Sequence, residues 1–349
     1  MIKKIIRIII GIAIGAFLLW ILFRKTDWHI VYYSIYSASI GWLILGQICA
    51  WAGYFTRIQR WTYVVRASDT ASFRSMLSAT QIGFLMNFII PMRIGEVTRA
   101  YVLSRLTKIS FSKSFAMVGL DRVNDIIALL FIVIIAVFSF PVGKDIEILP
   151  HTFNNINKIV ISSDFIRALA ISISLLLSII VIILVLLYVK QSLILRIVDM
   201  SLGRLSKYFA KLLQNLFLDF AAGMHIFRSG KEIAKSTIFS IFTWMLGVLS
   251  IAAMIKAFNI NYPWFMPFLM LAMIAASISV PVTPGTVGQY HIPIIACLIF
   301  INPSIGPDKA KAVAIVIHIL HLVPITVLGI FCLFREKLRF SDLIWYNFK

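Results

Sequence analysis

Asn87-Phe-Ile-Ile-Pro91-Met-Arg93-Ile-Gly95-Glu96-Val-Thr98-Arg99 and Pro281-Val-Thr283-Pro284-Gly285-Thr286-Val-Gly288-Gln289-Tyr290-His291 share the pattern Pro-x-x-(Ile/Val)-Gly-(Glu/Gln), about 190 residues apart. Each follows roughly fifteen mostly apolar residues and precedes a second short helical pattern. Proline lacks an N–H and restricts the residue before it, so Pro91 and Pro284 end the incoming helices. Gly95 and Gly288 permit a tight turn from which a new helix starts. Helices broken in this way at membrane depth, once in each half of a chain, point to the central binding site of a transporter.

The rest of the composition fits a bilayer. Hydrophobic residues make up 60% of the 349, charged residues 13%, and mean hydropathy is +0.95, which excludes an ordinary soluble globular domain. The net charge of +19 therefore reads as cytoplasmic loops and attraction to anionic headgroups. Nucleic-acid binding is excluded, because the basic residues are scattered through short loops. Lys3, Lys4 and Arg7 precede an apolar run with no Ala-x-Ala-like site, so the N-terminus reads as an uncleaved span. Gly11 and Gly15 form a small-xxx-small pair able to seat a neighbouring helix. Cys49, Cys297 and Cys332 stand apart in apolar segments and suggest neither disulfides nor a metal site.

Full-length apolar runs fall at about 5–23, 38–56, 115–139, 165–189, 236–256 and 312–334, each near the ~20 residues that cross a bilayer. Two more, about 76–106 and 264–302, contain the Pro/Gly motifs and read as re-entrant hairpins or broken half-helices, which are tolerated where buried in protein or lining a wet cavity. With a cytoplasmic N-terminus, segments 3–7, 57–74, 93–113, 190–235 and 335–349 lie inside and hold 24 of the 33 Lys and Arg. The expected fold is an all-α polytopic membrane protein of about six full spans plus two broken helix pairs. Residues 1–140 form a first membrane repeat and 165–334 a second, inverted one, followed by a cytoplasmic tail at 335–349. Residues 190–230 alternate at helical spacing and read as an amphipathic segment on the cytoplasmic surface. The loop at 141–164 is polar and short.

The charged residues cluster at the first motif and just after it. A helix starting at Gly95–Glu96 would aim its free N–H groups at the membrane interior, a seat for phosphate. Arg93 would add a bidentate contact. Glu96 and Arg99 are three apart and would pair with each other. In Asp121-Arg122-Val-Asn124-Asp125 the two acids share a helix face and would meet Arg93 or Arg99, with Arg122 answering Glu96. Such charges are costly inside a bilayer, so the reading divides between a gating role and a structural ion-pair lock. At the second motif, Gly285 and Gly288 repeat the backbone punctuation, with Thr283, Thr286 and Gln289 as neutral partners. His291, with His318 and His321 one turn apart in the last span, would make a proton relay or a set of structural hydrogen bonds. No Walker A run, nucleophile elbow or metal-spaced Cys/His cluster is present, so no cofactor and no enzymatic activity is expected.

Pro-x-Arg-x-Gly-Glu-x-x-Arg at 91–99, the acidic-Arg-x-x-Asp run at 121–125 and Pro-Gly-x-x-Gly at 284–288 occur in an order that resembles the transmembrane region of lysylphosphatidylglycerol synthases, the flippase-like membrane family. Members carry a cytosolic aminoacyl-transferase domain or stand alone; the chain ends at Lys349, so that domain is expected to be absent. The resemblance implies translocation of an anionic lipid or a polyprenyl-phosphate-linked substrate, in a bacterial or archaeal cytoplasmic (inner) membrane with both termini inside. A glycosyltransferase or lipid-biosynthesis partner is the accompanying expectation. Phosphate or headgroup contacts fall to Arg93, Gly95, Glu96, Arg99, Gly285, Gly288 and Gln289, ion-pair gating to Glu96, Asp121, Arg122 and Asp125, and proton coupling to His291, His318 and His321. The chain departs from the family's pattern at Gln289-Tyr290-His291, where an acidic residue would stand. An accessory subunit of an envelope enzyme and an intramembrane lipid-modifying enzyme are the rival expectations.

Overall fold

A computed structural model describes residues 2–66, 69–90, 94–139, 146–148, 159–161, 230–279, 282–340 and 343, with single helical positions between 168 and 182. It is a multi-pass α-helical membrane protein. Helices α1 (Ile2–Phe23), α2 (Trp28–Tyr36), α3 (Ile40–Arg66), α4 (Phe73–Ile89), α5 (Ile94–Leu106) and α6 (Phe111–Phe138) make the first half. A short antiparallel pair, β1 (Ile146–Ile148) and β2 (Ile159–Ile161), lies within the loop at 141–164. The second half contains α7 (Gly230–Ala257), α8 (Met266–Ser277), a 3-10 turn (Pro284–Thr286), α9 (His291–Ile301) and α10 (Pro307–Arg335). The expected amphipathic segment at 190–230 and nearly all of the run at 165–189 lie outside the described residues.

Among the described residues, Gly230–Ala257, Pro284–Ile301 and Pro307–Arg335 are long and apolar enough to cross a membrane. The pair α2 and α3, bent by 83°, makes a fourth if it is one span. The bend is absent from the sequence reading, which starts a straight span at 38. Asp27 caps α2 by accepting from the N–H groups of His29 and Ile30, and the helix ends at Ser37 without Pro or Gly. The far end of α3 differs too. Arg57 and Arg60, assigned by sequence to an inside loop, continue the helix to Arg66 because acidic partners on α6 neutralise them, as described below.

Helices α3 and α7 pack antiparallel along their length. Gly46 meets Met254 and Ser250, Thr56 Oγ1 lies 2.9 Å from Thr243 Oγ1, and Arg60 reaches Ser240. Ser250 Oγ donates to Gly46 O at 2.7 Å, so the small residue lets a side chain satisfy a backbone carbonyl across the crossing. A Cβ at Gly46 would stand 2.7 Å from Met254 Cγ and 3.0 Å from Ser250 O. Gly46→Leu is therefore expected to cost about 1–3 kcal/mol by overpacking, read as a lowered unfolding midpoint in detergent; an unchanged midpoint would show that the crossing has slack.

Both broken regions fold back as hairpins. Gly83 of α4 and Gly95 of α5 lie backbone to backbone, and Ser277 of α8 bonds the main chain of Gln289 just before α9. The apolar core divides accordingly. One cluster gathers Ile58, Trp61, Ile82, Met86, Leu103 and Met117; another gathers Met254, Met270, Ile294, Leu298, Val313 and Ile317.

Candidate functional site

A buried ion-pair network joins α3, α5 and α6. Asp121 Oδ2 accepts from Arg99 Nη1 at 2.6 Å, and Asp121 Oδ1 lies 2.6 Å from Arg60 Nη2 as an ion pair. Asp125 accepts from Arg60 Nη1 at 2.7 Å, from Arg122 Nη1 at 2.9 Å, from Arg57 Nη1 at 3.3 Å and from Trp244 Nε1 at 3.2 Å. Arg122 Nη2 also reaches Glu96 at 2.6 Å. Arg60, Arg99 and Asp121 have no solvent exposure, and the Arg99 guanidinium lies 3.6 Å from the centroid of the Trp61 ring. Charges this deep persist only when paired and hydrogen-bonded. Helical spacing makes the pairing possible: Arg57 and Arg60, three apart on α3, face Asp121 and Asp125, four apart on α6.

The second motif is held by its own side chains. Gly285, Thr286 and Gly288 all have positive φ, at 64°, 52° and 81°. Gln289 Oε1 accepts from the N–H groups of Val282 and Thr283, and Gln289 Nε2 donates to Ser277 O. Gly288 N donates to His291 Nδ1 at 3.3 Å, and His318 Nε2 lies 2.9 Å from Gly285 O. Tyr290 stacks on both His318 and His321, at centroid distances of 4.8 and 5.1 Å, and His291 meets His318 edge-on at 4.7 Å. Two of the imidazole nitrogens are thus engaged with the motif's backbone.

The two motifs touch. A Cβ at Gly285 would stand 2.7 Å from Phe88 Cε2, three residues before Pro91, and one at Gly288 would stand 2.6 Å from Leu18 Cβ of α1. A Cβ at Gly15 of α1 would stand 3.5 Å from Thr283, so α1 packs beside the second motif there at ordinary contact distance. Beside this junction, between α3, α4, α7, α8 and α10, lies a cavity of about 310 Å³. Tyr54, Arg57, Asn87, Thr286, Tyr290 and His321 supply polar groups to an otherwise mainly apolar wall. Among the described residues Arg57 is its one permanently charged lining side chain.

The family model described as Lysylphosphatidylglycerol synthase TM region matches residues 8–329. The chain belongs to that family. A comparison with curated proteins finds no match. Both broken helices, the ion-pair network and the cavity fall inside the span that the family model covers.

Against this geometry the residues singled out by sequence take distinct places. Arg93 lies outside the described residues. Arg99 is buried away from the cavity, held by Asp121 and Trp61. Arg122 on α6 answers Glu96 and Arg99 meets Asp121, both as expected, so Arg99 turns toward Asp121 and away from the other expected partner, Glu96. Gly95 N, expected free for an anion, donates to Asn87 Oδ1 at 2.7 Å. Gly95, Gly285 and Gly288 serve close backbone packing, and Gln289 ties together the second motif. His321 lines the cavity, whereas His291 and His318 stand behind Tyr290. Sequence reading missed Arg57, Arg60 and Tyr54. The available signal was the Arg57/Arg60 spacing matching the acids of α6, and it is visible only once α3 is extended past its apolar run.

Proposed function

We propose that the protein moves an anionic lipid, or a lipid-linked phosphate, between leaflets of a cytoplasmic membrane, with its headgroup bound at Arg57. The observation that carries this is the cavity walled jointly by the two halves: Arg57 and Asn87 come from the first, Thr286, Tyr290 and His321 from the second. Its ~310 Å³ is at the small end of ligand cavities and suits a headgroup whose chains stay outside. Asn87 both caps Gly95 and reaches the cavity wall, so a ligand there touches the turn of the first broken helix.

An inverted repeat of about six spans and two hairpins supports alternating access in this reading. Its support is reciprocal packing. The second expected spans of the two halves, α3 and α7, lie antiparallel; α10 packs on the first arm of the α4–α5 hairpin, and α6 on the first arm of the α8–α9 hairpin. With the Lys/Arg bias of the loops, this gives cytoplasmic N- and C-termini. Arg60, Arg99, Asp121 and Glu96 hold the frame, Arg122 and Asp125 link it to Arg57, and proton coupling falls to His321, the imidazole on the cavity wall, backed by His318 and His291.

The test is leaflet sidedness of chain-labelled fluorescent phosphatidylglycerol in proteoliposomes, read with an impermeant quencher. Arg57→Gln is expected to slow movement at least about tenfold, the loss of one charge-assisted contact of ~1.4 kcal/mol or more. The variant should fold, because Asp125 keeps Arg60 and Arg122. Movement unaffected by Arg57→Gln would remove Arg57 from the site. A folded wild type that moves no lipid would favour an accessory subunit, and a change in lipid mass would favour an enzyme.

A further inference from the structure

The network's charges do not cancel. Among the described residues four guanidiniums, Arg57, Arg60, Arg99 and Arg122, face three carboxylates, Glu96, Asp121 and Asp125. One positive charge is left over, and the arrangement decides where it sits. Arg60 and Arg99 are sealed with contacts of 2.6–2.7 Å, and Arg122 holds acids at 2.6 and 2.9 Å. Arg57 is the loosest member. Its contacts to Asp125 are 3.3 and 3.4 Å, the longest ion-pair contacts in the network, and it alone of the four lines the cavity.

Asp125 loses little if Arg57 turns away, since Arg60, Arg122 and Trp244 still donate to it. An anion in the cavity therefore takes Arg57 without orphaning a buried carboxylate. We propose that the site is charge-matched to a headgroup carrying one net negative charge, a phosphodiester in preference to a phosphomonoester or a net-neutral zwitterion. A monoanion brings the balance to zero. A dianion leaves a negative charge, and a zwitterion a positive one, uncompensated in an apolar enclosure. This rests on the reading of the cavity as a lipid-headgroup site.

The experiment is displacement of chain-labelled fluorescent phosphatidylglycerol from the full chain in detergent. The competitors share dioleoyl chains: phosphatidylglycerol, phosphatidylcholine, and phosphatidic acid at about pH 9, where a phosphomonoester (second pKa about 6) carries close to two charges. Phosphatidylglycerol is expected to displace the probe at least about tenfold better than either rival. Arg57→Gln, with a balance of zero, should bring phosphatidylcholine level with phosphatidylglycerol. Glu96→Gln, with a balance of +2, should turn the preference toward phosphatidic acid, and it leaves Arg122 bound to Asp125. Phosphatidic acid competing as well as phosphatidylglycerol in the wild type would overturn the charge match while leaving translocation standing. Equal competition by all three would overturn both. Selective phosphatidylglycerol binding without movement in proteoliposomes would keep the charge match and remove the flippase.

Discussion

Asp121→Asn is expected to remove about 3–5 kcal/mol of stability, the cost of breaking a buried ion pair while its partner stays buried. The carboxylate has no exposure and holds two guanidiniums at 2.6 Å, Arg60 and Arg99. Arg60 retains Asp125, but among the described residues Arg99 retains only the face of Trp61. An amide can accept a hydrogen bond and cannot cancel the charge. The measurement is thermal unfolding of purified protein in detergent, with the fraction eluting as a folded species as a second readout.

The same geometry ranks the neighbouring substitution. Asp125→Asn should cost less, because Arg60 keeps Asp121, Arg122 keeps Glu96, and Arg57 faces the cavity. Arg99→Met added to Asp121→Asn should recover most of the loss, since it removes the stranded charge and keeps an apolar stem of similar length. Asp121→Asn unfolding where the wild type does, or Asp125→Asn as the worse variant, would show that the network's energy is not distributed as its distances imply.

The sequence was legible where covalent structure forces the backbone. Pro91 and Gly95 mark the break between Ile89 and Ile94, and Pro284, Gly285 and Gly288 mark the one between Ser277 and His291. These signals are local, because proline cannot donate and a positive φ favours glycine. The site's charges were legible only in part. Asp121, Arg122 and Asp125 stand out because they interrupt an apolar run.

Arg57 and Arg60 do not stand out, because they follow an apolar run and look like its cytoplasmic end. That they lie inside the protein depends on residues 61–68 positions away in the chain, which no local pattern reports. The bend before α3 was illegible for a related reason. Ser37-Ala38-Ser39 carries no breaker, and the turn is fixed instead by Ser39 N donating to Ala257 O at the end of α7. Gly95 shows a third kind of limit. Its presence was read as freedom to turn, but its φ is ordinary, and what it supplies is the absence of a Cβ where another backbone passes.

That absence makes Gly95→Ala the second large effect. A Cβ at Gly95 would stand 2.0 Å from Gly83 O and 2.5 Å from Asn87 Cγ. The first is a main-chain carbonyl inside α4, so it cannot rotate aside as a side chain would, and overpacking of this kind exceeds the usual ~1–3 kcal/mol. Relief requires α5 to move off α4, which breaks the Asn87 cap on Gly95 N and drags Arg99 away from Asp121. The expected result is loss of folded protein or a collapse of lipid movement in what remains. Gly41→Ala is the control, since among the described residues no atom beyond its chain neighbours and its own helix backbone lies within 4 Å of its Cβ position, and alanine favours the helix by about 1 kcal/mol. A Gly95→Ala protein that is stable and moves lipid like the wild type would mean that the hairpin arms are not pressed together at this point, and Asn87 would then lose its place as the link between the first break and the cavity.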